Sequence, residues 1–159
     1  MKMYWLIMSR LDFYQTSESS LEKVLLGLLT KTIQTSERAV VVMESIERIN
    51  VLSSQLWTQQ PDSWLPHGVI GEDEPSSHPI WLTNKIENPN NSNFLFLTDA
   101  SMPDTLGEFN RCFNVFDGNV PELKTNITEH WSKFATDEYD FNYYEEKAAG
   151  KWVKTKYPV

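Results

Sequence analysis

The hydrophobic pattern near the start of the chain predicts a strand followed by a helix. Arg10 to Tyr14 alternate between polar and apolar residues, as in a strand with one buried face. Ser19 and Glu22 have the S-x-x-E spacing of a capping box, and the apolar residues beyond them recur at helical spacing. We therefore predict an amphipathic helix over residues 20–35. Its apolar positions are Leu21, Val24, Leu25, Leu28, Leu29 and Ile33.

A second strand and a second helix follow. Arg38 to Met43 contains the run Ala-Val-Val-Val, whose lack of alternation predicts a central strand covered on both faces. Ser45 is placed to cap a helix with apolar residues at Ile46, Ile49, Leu52 and Leu56. From 59 to 77, five Pro and Gly residues exclude regular structure over most of the segment, although it carries several large apolar side chains.

The second half of the chain continues the alternation. Residues 80–83 and 94–98 are predicted strands on either side of a polar turn, Asn88 to Asn93, which we expect to be disordered at its tip. Met102 and Pro103 are predicted to begin a helix, followed by a short strand over 114–116 and a turn at 117–118. That helix would carry Leu106, Phe109 and Phe113 on one face, with Cys112 buried.

The last predicted helix begins at the N-cap residue Asn119, with Glu122 three positions later. Its expected buried stripe is Leu123, Ile127, His130 and Phe134. Alternating strands and helices predict a three-layer α/β fold with a mostly parallel sheet, right-handed crossovers and helices on both faces. We expect one domain over residues 1–159, with 1–7 as a possible extension if Met8 is the start, and 145–159 as a basic tail.

Composition narrows the classes of function. The 159 residues carry a net charge of -8, which argues against strong direct binding of nucleic acid. A single cysteine excludes an internal disulfide and fits a reducing compartment. The apolar run from Met1 to Met8 is too short to span a membrane, so we expect a cytoplasmic protein. Six Trp residues suit either a core or a binding surface.

Motifs for catalysis are absent from the sequence. The turn after the first strand, Gln15 to Ser19, has no glycine, and no G-x-G-x-x-G, Walker A or G-x-S-x-G motif occurs. The fold is thus predicted to be Rossmann-like without a phosphate-binding loop, and we predict no cofactor and no catalytic site. His67, Glu72 and Asp73 could hold a metal in principle, but we expect His67 to hydrogen-bond the backbone of its own loop.

One segment resembles a known family. Residues 56–72 match the signature LW-x(3)-P-x-S-[aromatic]-x-P-H-x-x-x-G-E of the chi subunit of bacterial DNA polymerase III. The opening Arg10 to Tyr14, the strand 94–97 before Met102-Pro103, the pair Phe109 and Phe113, and the turn 115–118 follow in the order and spacing of that family. The resemblance extends from about Ser9 to about Phe134.

The resemblance implies an accessory protein of the clamp-loader complex. In that family the Trp-containing loop meets the psi subunit, or a helicase-like protein on the same surface. The positions carried over are Trp57, Pro61, Trp64, Leu65, Pro66 and His67. Trp64 stands where many relatives have Phe, which is a conservative change for an aromatic anchor.

The resemblance also implies a second site, for the acidic C-terminal tail of single-stranded DNA-binding protein. Lys124, Thr128 and Trp131 share one helix face, Trp131 and Phe116 are expected to wall an apolar pocket, and Lys124 supplies a cation. Thr128 replaces the usual Arg of the family. Four basic residues near the C-terminus, interleaved with aromatic ones, could fold back and restore positive charge, or form a solvated terminus. They are Lys147, Lys151, Lys154 and Lys156.

Two other functions stay open at this point. One is a small enzyme that binds a nucleotide in a degenerate Rossmann-like crevice. The other is a module that bridges proteins outside DNA replication. The non-catalytic adaptor of the clamp loader is the function that the sequence favours.

Overall fold

A computed structural model describes residues 9–58, 65–98, 102–134 and 139–156. Its strands are β1 Ser9–Thr16, β2 Ala39–Val42, β3 Gly68–Val69, β4 Ile80–Thr83, β5 Phe94–Thr98, β6 Arg111–Asp117, β7 Tyr139–Ala148 and β8 Lys151–Thr155. They form one sheet in the order β3-β4-β2-β5-β6-β1-β7-β8. All neighbouring strands are parallel except β7 and β8, which are antiparallel.

Helices cover both faces of this sheet. They are α1 Leu21–Gln34, α2 Ile46–Thr58 and α3 Pro121–Ser132. The buried residues of α1 and α2 belong to one apolar cluster, and those of α3 belong to a second cluster on the opposite face. The predicted three-layer, mostly parallel α/β fold is confirmed.

Strand β2 shows why an unbroken apolar run marks a central strand. Ala39 and Val41 pack into the cluster under α1 and α2, while Val40 and Val42 pack into the cluster on the α3 side. All four residues are buried. Each face of the strand therefore needs apolar side chains, and alternation disappears.

The cap of α1 differs from the predicted one by a residue. Ser20 is the N-cap, and its hydroxyl accepts from the amide of Lys23 at 3.1 Å. The amide of Ser19 instead donates to the carboxylate of Glu146 at 2.9 Å. Ser19 is thus held by a distant strand, and the predicted Ser19 to Glu22 capping box is wrong.

The cap of α2 is confirmed, because the amide of Arg48 donates to the hydroxyl of Ser45 at 3.2 Å. Three of the four predicted apolar positions of α2 are buried, namely Ile49, Leu52 and Leu56. Ile46 is 43% exposed, so it lies outside the packed stripe.

The predicted helix beginning at Met102 is wrong. Residues 102–110 form turns and irregular backbone, and β6 begins at Arg111. Gly107 has φ of +55°, a left-handed conformation that a helix interior does not contain. Phe109 and Phe113, expected on one helix face, pack into the two different clusters. Cys112 is fully buried as expected, but on a strand.

Helix α3 lies near its predicted place with a shifted buried stripe. Its N-cap is Val120, while the Asn119 side chain hydrogen-bonds Asp117 and the carbonyl of Ser17. Ile127 is buried as predicted. The second buried residue is Trp131, whereas the predicted Leu123, His130 and Phe134 are only partly buried.

The turn between β4 and β5 is ordered by its own side chains, contrary to the prediction of a disordered tip. Asn90 is fully buried, and its amide donates to the carbonyls of Ala39 and His78. The hydroxyl of Ser92 donates to the side-chain oxygen of Asn90 at 2.6 Å. Buried polar atoms with partners fix this segment against the sheet.

Candidate functional site

Trp57 lies at the C-terminal end of α2, with 47% of its surface exposed. The carbonyl of the preceding Leu56 accepts from the amide of Leu65 at 3.1 Å, so the chain returns to the end of α2. Pro66 is exposed, while Leu65 and His67 are buried. We call these four residues, Trp57, Leu65, Pro66 and His67, the Trp57 surface. Leu65 and His67 support it from below, and Trp57 and Pro66 face solvent.

His67 connects the loop to α2. Its Nδ1 donates to the carbonyl of Leu65 at 2.8 Å, which confirms the predicted bond to the backbone of its own loop. Because Nδ1 carries the proton of the neutral ring, Nε2 accepts from the hydroxyl of Ser53 at 2.7 Å. Burial lowers the pKa of His67, although the bond to Leu65 and the charge of Glu72 oppose this shift.

The strand that follows this loop packs closely on a second histidine. A Cβ atom at Gly68 would lie 2.5 Å from Cδ2 of His78, so only glycine fits without a shift. The ring of His78 in turn lies 6.0 Å from that of Trp81. The short β3 is therefore fixed at the sheet edge beside the Trp57 surface.

Two of the residues predicted for this surface lie outside the described residues. They are Pro61 and Trp64, within the segment 59–64. Their participation stays a prediction. The described residues on either side, Thr58 and Leu65, bound that segment at the end of α2.

The second predicted site lies on α3. Lys124 and Thr128 are both partly exposed one turn apart, and the hydroxyl of Thr128 donates to the carbonyl of Lys124 at 2.8 Å. The ammonium of Lys124 lies 5.7 Å from the ring centroid of Tyr143, within range of a cation–π interaction. One cation and one hydroxyl therefore share this part of the surface.

The two predicted pocket walls of that site are fully buried. Phe116 and Trp131 both have 0% exposed surface and belong to the core cluster on the α3 side. Trp131 packs on Phe134 with ring centroids 4.7 Å apart. The predicted role of these two rings as pocket walls therefore lacks the exposed surface that it requires, since Phe116 is on β6 and Trp131 is on the buried face of α3.

The basic C-terminal segment folds back as the strand β8 rather than as a solvated terminus. Lys154 pairs with Tyr144, and Tyr144 stacks on Tyr14 with centroids 4.9 Å apart on the α1 side of the sheet. Tyr143, which contacts Lys124, faces the opposite side. Lys154 is thus directed away from α3, and Lys147 pairs with Glu145 at 2.7 Å. Tyr157 lies outside the described residues.

The loop after β1 is an anion-binding nest that the protein fills itself. One carboxylate oxygen of Glu146 accepts from the amides of Ser17, Glu18 and Ser19 at 2.8, 2.9 and 2.9 Å. The other accepts from the amide of Gly150 at 3.0 Å. Burial alone would raise the pKa of Glu146, but the bonds from Ser19, Ser17 and Gly150 prevail and lower it to about 2.

This nest occupies the place where Rossmann-like folds bind phosphate, at the first strand-to-helix turn. The sequence pointed to the missing glycines but not to Glu146, which approaches from 129 residues away along the chain. A nucleotide phosphate would have to displace this carboxylate. The arrangement therefore favours an internal structural anion over a nucleotide.

Other chemistry is limited in the described residues. No group of three His, Cys, Asp or Glu side chains there could hold a metal ion. Burial raises the pKa of the Cys112 thiol well above its ordinary value, so the thiol stays protonated. Within the same residues, no helix combines the length and apolar character required to cross a membrane.

Comparison with known proteins gives the family. Residues 8–142 match the family described as DNA polymerase III chi subunit, HolC. A probable DNA polymerase III subunit chi of Rickettsia prowazekii (strain Madrid E) is 26% identical over 156 residues, which span 92% of this chain and 92% of that protein. The match contains both the Trp57 surface and α3. The chain therefore belongs to the DNA polymerase III chi subunit family.

Proposed function

We propose that this protein is a non-catalytic adaptor in the clamp-loader complex of DNA polymerase III. It connects that complex, through the psi subunit, to the acidic tail of single-stranded DNA-binding protein. Membership of the chi family, an accessory subunit family of the polymerase, supports the general role. The observation that carries the finer proposal is the half-exposed Trp57 fixed beside the buried His67.

The Trp57 surface has the properties of a binding hot spot. Large aromatic residues dominate the binding energy of many interfaces, because they bury much apolar area at one point. Trp57 is held in place by a loop with hydrogen bonds to α2, which reduces the ordering cost of association. We assign this surface to the psi subunit, with a helicase-like protein as a competitor for it.

Titration of the purified protein with its psi subunit tests this assignment. Trp57→Ala and Trp64→Ala are each expected to weaken psi binding by about 2 kcal/mol or more, with an unchanged fold. Val51→Ala is the matched control, because Val51 is also 47% exposed on α2 but points to another side of the helix. Psi affinity that is unaltered by both tryptophan variants would contradict the assignment.

In the proposed tail site on α3, the tail is attracted by positive charge rather than by contact with exposed aromatic rings. Lys124 offers a cation at the surface, and Thr128 offers a neutral hydroxyl that is already engaged with the helix backbone. We propose that Phe116 on β6 and Trp131 on the buried face of α3 act indirectly, by fixing α3 on the sheet. An acidic peptide needs cations for its carboxylates, so one lysine implies modest affinity.

Titration with a peptide from the tail of single-stranded DNA-binding protein tests this site. Lys124→Gln is expected to reduce affinity several-fold, and Lys85→Gln, a change of an exposed lysine in another loop, is the control. Lys154→Gln should leave binding unchanged, because β8 directs Lys154 to the opposite face. Equal affinity of the Lys124→Gln variant and the unmodified chain would place the tail elsewhere.

The absence of catalysis belongs to the same proposal. The nest that could bind a nucleotide phosphate is filled by Glu146. This weighs against a degenerate nucleotide-binding enzyme. A module that bridges proteins outside replication would fail to capture both psi and the tail peptide, so the two binding experiments also separate that alternative.

A further inference from the structure

A groove runs between α1 and the half of the sheet that contains β6, β1, β7 and β8. Two cavities of about 410 and 310 Å³ form it, and they share Tyr14, Leu28 and Lys31 in their walls. We call it the α1 groove. It lies on the sheet face opposite α3, and it is therefore separate from the surface around Lys124.

Aromatic rings form the floor of the α1 groove. Tyr14 stacks on Tyr144 with ring centroids 4.9 Å apart, and Trp152 meets Tyr14 edge to face at 5.3 Å. All three residues are partly exposed. The floor therefore offers apolar and aromatic surface to a ligand.

Cations border the same floor. The guanidinium groups of Arg10 and Arg111 bind the two oxygens of the buried Asp12 carboxylate, at 2.8 and 2.6 Å. One carboxylate neutralises only one of these two charges, and their side chains stay 40% and 27% exposed. Lys23 and Lys31 line the wall on α1, where both are exposed.

The α1 groove carries positive charge although the protein has a net charge of -8, with 14 Lys and Arg against 22 Asp and Glu. Lys23, Lys31 and Arg111 line its two cavities, and Arg10 donates a hydrogen bond to the lining residue Tyr144 at 3.3 Å. Glu37 is the acidic residue that lines the first cavity. The α1 groove is therefore a local site for a ligand of negative charge.

Gly27 opens the wall on α1. It lies between Lys23 and Lys31 at i, i+4 spacing, in the middle of the helix. Glycine is less favourable than alanine in the interior of a helix. An added Cβ would meet nothing within 4 Å, so packing within the chain does not require the glycine. Close approach of a ligand to the helix backbone is a physical reason for its presence.

We propose that the α1 groove binds an acidic peptide segment of a partner protein in an extended conformation, with an apolar side chain on Tyr14 and Trp152. Carboxylates of the peptide would pair with Lys23 and Lys31 on α1, and with Arg111 and Arg10 on the sheet. The 14 residues of α1 are about 20 Å long, which matches about six extended residues.

A peptide fits these observations better than single-stranded nucleic acid does. Cations line the groove, while the protein as a whole carries a charge of -8. A nucleic acid strand would extend its phosphates beyond the groove and over this acidic surface, which opposes binding. A short acidic peptide can be held within the groove and avoid this acidic surface.

Heteronuclear NMR of the complete chain tests the proposal. The probe is a synthetic peptide of about six residues, Asp-Asp-Leu-Asp-Asp-Phe, with an Asn-for-Asp peptide as the neutral control. Amide signals of Tyr14, Gly27 and Trp152 are expected to shift with the acidic probe only. No shift at these residues under saturation, or shifts confined to α3, overturns the proposal.

Variants measure the contribution of each wall. The double substitution Lys23→Gln and Lys31→Gln should weaken the probe roughly tenfold. Lys85→Gln with Lys133→Gln, a change of the same charge on exposed lysines elsewhere, should have no effect. Gly27→Gln should abolish the shifts with an equal or higher melting temperature, because glutamine favours a helix more than glycine does. Retained binding by this variant contradicts the proposed approach to α1.

Two further outcomes separate this groove from other interpretations. If an oligothymidylate of similar length shifts the same amides more strongly than the peptide, the groove is a nucleic-acid site and the proposal is overturned. The groove variants should still bind psi, and Trp57→Ala should still bind the acidic probe. Failure of one proposal therefore leaves the other intact.

Discussion

The imidazole of His67 packs on the indole of Trp57, with ring centroids 4.6 Å apart and an angle of 40° between the rings. His67 is 5% exposed, whereas Trp57 is 47% exposed. The histidine is therefore the internal support of the residue that we propose as the anchor for psi. Its two ring nitrogens are both occupied, by Leu65 and by Ser53.

Replacement of this support should affect stability and binding together. His67→Ala leaves the Ser53 hydroxyl and the Leu65 carbonyl without their partner, so we expect a loss of about 1–3 kcal/mol in the free energy of unfolding. Ser53→Ala removes one hydrogen bond and should cost less. Denaturant unfolding with parallel psi titration measures both quantities, and a His67→Ala variant with full psi affinity would contradict the supporting role.

The lowered pKa of His67 predicts the direction of a pH effect. Its ordinary pKa is 6.5 and its folded pKa is lower, mainly through burial, with a further lowering by the charge of His78. Below pH 6.5 the unfolded chain takes up a proton that the folded chain does not, so stability falls until the folded pKa is reached. Above the ordinary pKa of 6.5, neither state takes up this proton and the contribution of His67 to stability is constant.

Denaturant unfolding of the His67→Gln variant isolates this effect. Glutamine retains a donor and an acceptor but does not titrate in this range. The unmodified chain should lose more stability than the variant between about pH 7.5 and about pH 5.5. Identical losses in the two proteins would mean that His67 does not titrate differently on folding.

Glu146 should stabilise the attachment of the hairpin formed by β7 and β8 to the loop after β1. Glu146→Gln removes the charge that four backbone amides contact, and we expect a loss of about 2 kcal/mol or more. Glu145→Gln is the control, because that neighbour pairs only with an exposed lysine. Thermal unfolding of both variants makes the comparison, and equal melting temperatures would contradict a structural role of the nest.

The same carboxylate sets an acid limit on stability. The folded pKa of Glu146 is about 2, below its ordinary 4.5, so its contribution is complete above pH 4.5 and is lost as the pH falls toward 2. The Glu146→Gln variant should therefore approach the stability of the unmodified chain in that range. A constant difference between the two proteins across this range would refute the assignment.

Gly68 should not tolerate a side chain. An alanine Cβ would lie 2.5 Å from the His78 ring, which is itself packed near Trp81, so we expect Gly68→Ala to cost about 1–3 kcal/mol. Gly27→Ala, in open space on α1, should instead stabilise by about 0.5–1 kcal/mol. Opposite signs in denaturant unfolding are the expected result, and a neutral Gly68→Ala would show that His78 moves freely.

The sequence predicts those elements whose pattern has one physical explanation. The unbroken run in β2 and the helical spacing in α1 each allow a single arrangement, and both predictions agree with the structure. The segment 102–113 does not, because apolar residues three to four positions apart also occur when a loop enters a strand. Leu106, Phe109 and Phe113 are of this kind, and the left-handed Gly107 decides against the helix.

The site is predictable only where it is local in the chain. The bond from His67 to Leu65 spans two residues, and the sequence indicates it. The burial of Trp131 and the contact of Glu146 with the loop after β1 depend on how distant strands align, which no local pattern contains. Phe141, Tyr143 and Gly150 did carry a strand-and-turn pattern for the missed hairpin.

The filled nest also imposes an order on biosynthesis. Ser17 leaves the ribosome 129 residues before Glu146, an interval on the order of ten seconds at about 5–20 residues per second. Both strand neighbours of β1, β6 and β7, come from the last third of the chain. The first strand to be made is therefore the last to be enclosed, and the nascent protein must keep it from aggregation until translation is nearly complete.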